Sequence, residues 1–347
     1  MDGTQYITQY PIQPQGTIRY RFLADLPGTF FYHSHFADQR ALGAFGPMII
    51  RSIKDPAERL YDVDTNIMFL NDWVYDGDIY LVKNILIDGL GQRQNGTEQA
   101  VFKEYSVKRG HRYRFRVIYS SATNCTLDIS VDNHMLKVIS SDSFAIKPVT
   151  AESIGITSGE RFDFILDANQ NVGNYWIRIQ GNYACGGMIQ GAVLRYEGSK
   201  GFPNVTDLNV HKELKGVQVN PTVNDRNEKD IPLVEAKSLK PWSPSSIYPT
   251  YYLNVTMEDK GMGNFDFFIN RIYYEAETRF SLLQVKDAIS YSDYYCNLTN
   301  FESNGTDCSK TTCKCPHLID VPCKRYVEFF FFNPSMTSIR CTSMVMI

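Results

Sequence analysis

Apolar and polar positions along this chain alternate with a period of two far more often than they recur every three or four residues. Tyr113, Phe115, Val117 and Tyr119 alternate with Arg112, Arg114, Arg116 and Ile118, which predicts a strand with one face buried and the other in water. Similar short runs follow one another, separated by Gly, Asn and Asp. Residues 167–173 read as a turn, and Tyr175, Trp176, Ile177, Arg178 and Ile179 as the strand after it. With 22 Tyr and 21 Phe, and no long Ala/Leu/Glu/Lys stretches, the chain is expected to be all-β, with β-sandwich spacing.

The alternation also repeats on a larger scale. The first unit runs from Gly16 to Phe22, then from Ala24 to Gly28, Thr29 to His35 and Gly46 to Arg51. Its counterpart runs from Gly159 to Leu166, Asp167 to Gly173, Asn174 to Gln180 and Gly191 to Tyr196. The order of glycines, aromatics and closing aliphatic strand is the same, so the chain is expected to hold the tail of one sandwich and a whole second copy. Aligning Gly28 with Gly173 places Arg178 opposite His33 and Gln180 opposite His35. One copy carries a pair of metal-ligand side chains and the other does not.

Length and charge narrow the classes. The 347 residues suffice for two or three domains. A net charge of -3 with mixed signs offers no basic stripe for a phosphate backbone, so no nucleic-acid partner is expected. No apolar run approaches the roughly 18 residues of a membrane span. Eight cysteines and six Asn-x-Ser/Thr sequons, at Asn95, Asn124, Asn204, Asn254, Asn297 and Asn304, favour an oxidising, secreted setting. The opening residues Met1, Asp2, Gly3, Thr4 and Gln5 show neither the basic nor the apolar part of a signal peptide, so the natural start is expected upstream unless the sequons are unused.

The chemistry-bearing residues are His33 and His35. Two positions apart on a strand, they project from the same face and can meet one metal site. Their surroundings carry a resemblance. Residues 28–35 (Gly-Thr-Phe-Phe-Tyr-His-Ser-His), followed by Gln39, Arg40, Ala41 and residues 43–51, resemble the second copper-ligand motif of the multicopper oxidases, and the arthropod laccase-like branch looks closest. Residues 1–12 resemble the stretch that follows the family's first His-Trp-His motif, with Tyr10 and Tyr32 standing where the family usually has Cys and Trp. Residues 107–116, 158–164 and 173–178 match its second domain.

The resemblance implies tandem cupredoxin-like (plastocyanin-like) Greek-key sandwiches, the first and third incomplete. The expected divisions are 1–57 for the end of domain one, 58–197 for domain two and 198–246 for an interdomain linker. Residues 247–332 would begin domain three, and 333–347 form an off-family tail. It implies copper: a type 1 centre, which takes electrons singly from a phenolic small-molecule reductant, and a type 2/type 3 trinuclear cluster, which reduces dioxygen to water. By motif position His33 and His35 would each ligate one copper of the type 3 pair, and Asp2 would relay protons beside the cluster.

The family's other histidine motifs are absent from these residues. The first is expected before Met1. Back-translating residues 338–346 and reading one base out of frame permits His-Pro-Met/Leu-His-Phe/Leu-His-Gly, so a displaced frame is expected to hide the third. The chain as written is expected to lack oxidase activity. Two other readings stay open: a copper-free β-sandwich binding module, and a ferroxidase or ascorbate-type oxidase. Among the cysteines, Cys296, Cys308, Cys313 and Cys315 are expected to form two disulfides rather than a metal knuckle, and Cys125 and Cys185 could bridge the second domain. His111, His134 and His211 are expected to be exposed.

Overall fold

The computed structural model describes residues 4–74, 82–92, 101–222, 227–239, 249–261 and 264–273, with shorter stretches at 296–297, 302–303, 306–307, 310–315, 317–319, 321 and 327–332. The chain is all-β, as its alternation predicts, and divides into two compact units. One is Leu23–Pro241, and the other joins Met1–Phe22 to Trp242–Ile347. Asp2, Cys308, Cys323 and the tail after Phe332 lie outside the described residues.

The larger unit begins with a hairpin of β1 (Gly28–His33) and β2 (Phe45–Ile50). Its register runs from Gly28 opposite Ile50 to His33 opposite Phe45. A sandwich follows, built from β3 (Val63–Trp73), β4 (Asn84–Ile87), β5 (Lys103–Val107), β6 (Arg112–Tyr119), β7 (Cys125–Val131), β8 (Leu136–Ser141), β9 (Phe144–Ala151), β10 (Ser153–Ile156), β11 (Arg161–Asp167), β12 (Asn174–Tyr183), β13 (Ile189–Tyr196) and β14 (Gln218–Val219). One sheet has the order β4-β3-β6-β11-β8-β9 and the other β14-β10-β7-β12-β13-β5. Inward side chains from both fill the core. Leu70, Phe115, Val117, Leu127, Ile129 and Ile177 are fully buried, and the rings of Phe115 and Phe164 stack with centroids 5.1 Å apart.

A disulfide joins Cys125 at the start of β7 to Cys185 beyond β12, closing a sequence separation of 60. By chain-entropy arithmetic, a loop of that length stabilises the fold by about 4 kcal/mol.

One expectation is corrected here. β6 does not leave its arginine face in water, because Arg114 and Arg116 are as buried as the aromatic residues beside them, at 5% and 3% exposure. The hairpin and the residues after it cover that face. The reason is a ring of counter-charges. Asp163 on β11, 1% exposed, accepts from Arg114 at 2.5 Å and Arg116 at 3.4 Å, and its other oxygen accepts the Thr29 hydroxyl of β1 at 2.6 Å. Arg114 also pairs with Asp55, and Arg116 with Asp64 at 2.7 Å. Alternation predicts which residues share a face, but not what will cover it.

The segment after β13 is also packed rather than free. The Trp176 indole donates to the Asn204 carbonyl at 3.0 Å, and Arg178 donates to the Asp207 carbonyl at 2.6 Å. Gln180 and Lys212 exchange two hydrogen bonds, at 2.6 and 3.1 Å. These contacts seal the outer face of β12, burying Trp176 with Phe102, Val193 and Leu208.

In the smaller unit, β15 (Thr250–Gly261) pairs antiparallel with β16 (Asn264–Ile269) and parallel with the strand Glu328–Phe332. Tyr251 and Tyr252 stack on Phe329 and Phe330, with centroids 5.4 Å apart in both pairs. Cys313 and Cys315 are each disulfide-bonded, which removes them as thiolate ligands.

Replacing Asp163 by Asn leaves two buried guanidinium groups short of a shared counter-charge, and should destabilise the larger unit by about 3 to 5 kcal/mol. Replacing Glu104, whose pair with Arg195 is solvent-exposed, by Ala should cost under about 1 kcal/mol. Urea unfolding of the two variants beside the parent checks the contrast.

Candidate metal centre

Both candidate ligands sit at the loop end of the hairpin. β1 starts at Gly28, where a Cβ would lie 2.3 Å from the Ser143 Cβ, so only glycine lets the strand approach the sandwich this closely. Thr29 then carries the anchoring bonds. Its hydroxyl meets Asp163 and accepts from Arg116 at 2.9 Å, and its carbonyl accepts from Ser143 at 2.8 Å and Arg161 at 3.1 Å. Four residues on, at the strand's other end, stands His33.

An aromatic chain orients the first imidazole. The His33 ring stacks on Phe31, with centroids 5.1 Å apart. Phe31 meets Phe69 of β3 edge-on at 6.2 Å, and Phe69 stacks on Phe45, the cross-strand partner of His33, at 5.0 Å. The His33 Nδ1 lies 3.0 Å from the Ser34 carbonyl. A carbonyl can only accept, so this contact places the ring proton on Nδ1 and the lone pair on Nε2. That is the tautomer a metal-ligating histidine needs, with its second nitrogen held by a backbone acceptor.

His35 lies just past the strand, exposed, with its ring centroid 6.0 Å from that of His33 and the planes 31° apart. The loop that carries it closes on itself. The Ser34 amide donates to Ala44 at 2.8 Å, the Ala44 amide to Gln39 at 2.9 Å, and the Ser34 hydroxyl to the Gln39 side chain at 2.6 Å. Two imidazoles on one side of a rigid hairpin are a donor set suited to copper. Among the described residues no third His, Cys, Asp or Glu joins them as a metal-binding group. The expected third participant, Asp2, lies outside those residues.

A cleft of about 730 Å³ opens beside β2, lined by Phe45, Trp73, Asn66, Lys103 and Tyr105 among others. Neither histidine lines it, so its size does not make it part of this centre.

Residues 65–199 and residues 1–55 match two family descriptions, each of multicopper oxidase, which together span more than half of the chain. The chain belongs to the multicopper oxidase family. Both histidines fall in the second of these matches, and the sandwich from β3 to β13 falls almost wholly in the first. The laccase of Trametes hirsuta is 36% identical over 233 residues, which are 63% of this chain and 44% of that protein. The crystal structure of the laccase from Botrytis aclada superposes with a TM-score of 0.64 at 24% identity, covering 86% of this chain and 57% of that one. Fet3p, a multicopper oxidase that functions in iron import, superposes with a TM-score of 0.65 at 16% identity over the same shares. These two structures show the cupredoxin-like fold. This multicopper oxidase chain thus spans about half the length of the relatives it matches.

The remaining histidines separate. His211 is exposed, as expected. His111 is half-buried, and His134 is 6% exposed, so exposure is corrected for both. Turn-like sequence around His134 concealed its environment. The turn folds back onto the sandwich, where Nδ1 bonds the Asp132 carbonyl at 2.7 Å and Nε2 the Tyr196 hydroxyl at 2.7 Å. The carbonyl fixes the proton on Nδ1, so Tyr196 donates to Nε2. The hydroxyl in turn accepts from the Gln170 amide at 3.1 Å, a fully satisfied chain with a structural role.

Burial pushes the His134 pKa below its ordinary 6.5, with the Asp132 carbonyl and carboxylate opposing. The folded state therefore binds fewer protons than the unfolded one between the two pKa values. The contribution of His134 to stability should be complete above about pH 6.5 and lost as pH falls through its folded pKa, at up to about 1.4 kcal/mol per pH unit. Urea unfolding of the parent and His134→Gln across this range should show a steeper loss in the parent.

Proposed function

We propose that this chain belongs to a laccase-type oxidase that removes single electrons from diphenols or related aromatic reductants and delivers them to dioxygen. Four such oxidations supply the four electrons and four protons that turn one dioxygen into two waters. The observation that carries the reading is the His33–His35 pair, on a hairpin within the family match, with the His33 tautomer set for ligation through Nε2.

His33 and His35 would each hold one copper of the type 3 pair, where copper supplies the dioxygen-reducing centre. This chain's part is to fix both rings against the sandwich. The Asp2 carboxylate would relay protons beside that pair. The 36% identity to a laccase supports a phenolic reductant, whereas the likeness to Fet3p supports the fold alone. Secretion is supported by the Cys125–Cys185 bond and by exposed sequon asparagines at Asn124, Asn204 and Asn254.

Of the six histidines in the 347 residues, His33 and His35 are the pair spaced as ligands, and among the described residues no cysteine joins histidines as a metal-binding group of the kind a type 1 centre requires. The 347-residue polypeptide should therefore bind Cu²⁺ without an intense blue thiolate-to-copper band and without oxidising a diphenol. His33→Ala and His35→Ala should each weaken Cu²⁺ binding by about tenfold or more. Calorimetric and optical Cu²⁺ titrations check this, and binding unchanged in both variants would refute the assignment.

A further inference from the structure

Arg40 lies on the loop after His35, on a short turn whose neighbours are mostly exposed, yet its guanidinium points into the sandwich. It donates to the Ser158 hydroxyl at 2.6 Å, to the Ser120 hydroxyl at 3.3 Å and to the Ser121 carbonyl. These acceptors are themselves fixed. The Ser158 hydroxyl donates to the same Ser121 carbonyl at 2.6 Å. Asp72, 6% exposed, gathers the turn beside it by accepting from the Ser121 hydroxyl at 2.8 Å, the Ala122 amide at 3.0 Å, and the Thr123 amide and hydroxyl at 3.1 and 2.6 Å. Arg40 thus reaches two separate turns of the sandwich at once, the one after β6 and the one before β11.

Its backbone belongs to the histidine loop. The Gly43 amide donates to the Arg40 carbonyl at 3.1 Å. The adjacent residue, Gln39, holds the Ser34 hydroxyl and the Ala44 amide on either side of His35. His33 is located by β1 and its aromatic stack, but His35 lies beyond the strand and lacks that support. Its position relative to His33 depends on the loop, and Arg40 ties the far side of that loop to the sandwich. The planar, multi-donor guanidinium can engage three acceptors in fixed directions, which an ammonium group cannot reproduce.

The geometry points to Arg40 as a positioning residue that sets the His35 imidazole relative to His33, and so the spacing at which the two rings would each take one copper. This rests on the copper assignment of the two histidines.

The test uses the full 347-residue chain with Cu²⁺ alone as the probe, comparing the parent with Arg40→Ala, Arg40→Lys, Ser158→Ala and His33→Ala. Cu²⁺ affinity is read by calorimetry, the number of coordinated nitrogens by the hyperfine pattern in electron paramagnetic resonance, and loop order by amide exchange without metal. Arg40→Ala should weaken Cu²⁺ binding about tenfold and change the nitrogen hyperfine pattern. The Ser34 and Ala44 amides should exchange about tenfold faster, while those of β6 keep their parent rates. Arg40→Lys should fail to restore the parent pattern, and Ser158→Ala should give an intermediate loss; these two milder variants decide the matter if Arg40→Ala does not fold.

Parent affinity and hyperfine pattern in the Arg40 and Ser158 variants, with binding still lost in His33→Ala, would overturn the positioning role and leave the copper assignment standing. Unchanged binding in His33→Ala would overturn both. A lower melting temperature with parent Cu²⁺ affinity would make Arg40 merely structural, and would also overturn the proposal.

Discussion

The presentation of the two histidines depends on one buried carboxylate, that of Asp163. A two-stranded hairpin is at best marginally stable in water, and β1–β2 gains its fixed position by covering the charged face of β6. Asp163 makes that possible because it serves both sides at once, accepting from Arg114 and Arg116 of the sandwich and from the Thr29 hydroxyl of the hairpin. Buried charges are costly unless fully bonded. Here Asp55 and Asp64 complete the shell around the two guanidinium groups. Burial alone would push the Asp55 carboxyl up, but the Ala57 amide, the Tyr61 hydroxyl and Arg114 together hold it below its ordinary value. The hairpin position is therefore specified by direction-dependent bonds as well as by apolar contact.

The internal repeat carries the same hairpin with other side chains at the two aligned positions. β12 and β13 pair as β1 and β2 do, and Arg178 and Gln180 occupy the places aligned with His33 and His35. In place of imidazoles they present groups that bind other parts of the chain. Arg178 grips Asp132 in a bidentate pair at 2.8 and 2.9 Å and reaches the Asp207 carbonyl, while Gln180 exchanges hydrogen bonds with Lys212. The aligned positions thus anchor a covering segment in one copy and carry imidazoles in the other. The backbone differs at the second of them, since Gln180 lies within β12 and His35 beyond the end of β1.

Much of this was legible in the residues. Period-two alternation gave the strands, since each buried face needs apolar side chains at every second position, and the repeat gave the two hairpins. The His33–His35 pair stood out by spacing and surroundings, and the Cys125–Cys185 bond was among the pairings considered. The covering of β6 was not legible. An arginine at every second position reads as a solvated face unless its counter-charges are known, and Asp163, Asp55 and Asp64 lie far from it in sequence. The tie made by Arg40 is equally hidden, because its acceptors come about 80 and 118 residues later. The buried state of His134 was hidden for the same reason: Tyr196, which completes its hydrogen bonding, is 62 positions away.

Whether the anchored hairpin offers its two imidazoles to copper can be read from crystals of the 347-residue chain soaked in Cu²⁺, with anomalous diffraction recorded across the copper absorption edge. The strongest peaks should lie at bonding distance from the His33 Nε2 and from the His35 ring, with Thr29, Asp163 and Arg116 still joined beneath them. Copper found only at exposed His211 or other surface sites, with no density beside this pair, would contradict it.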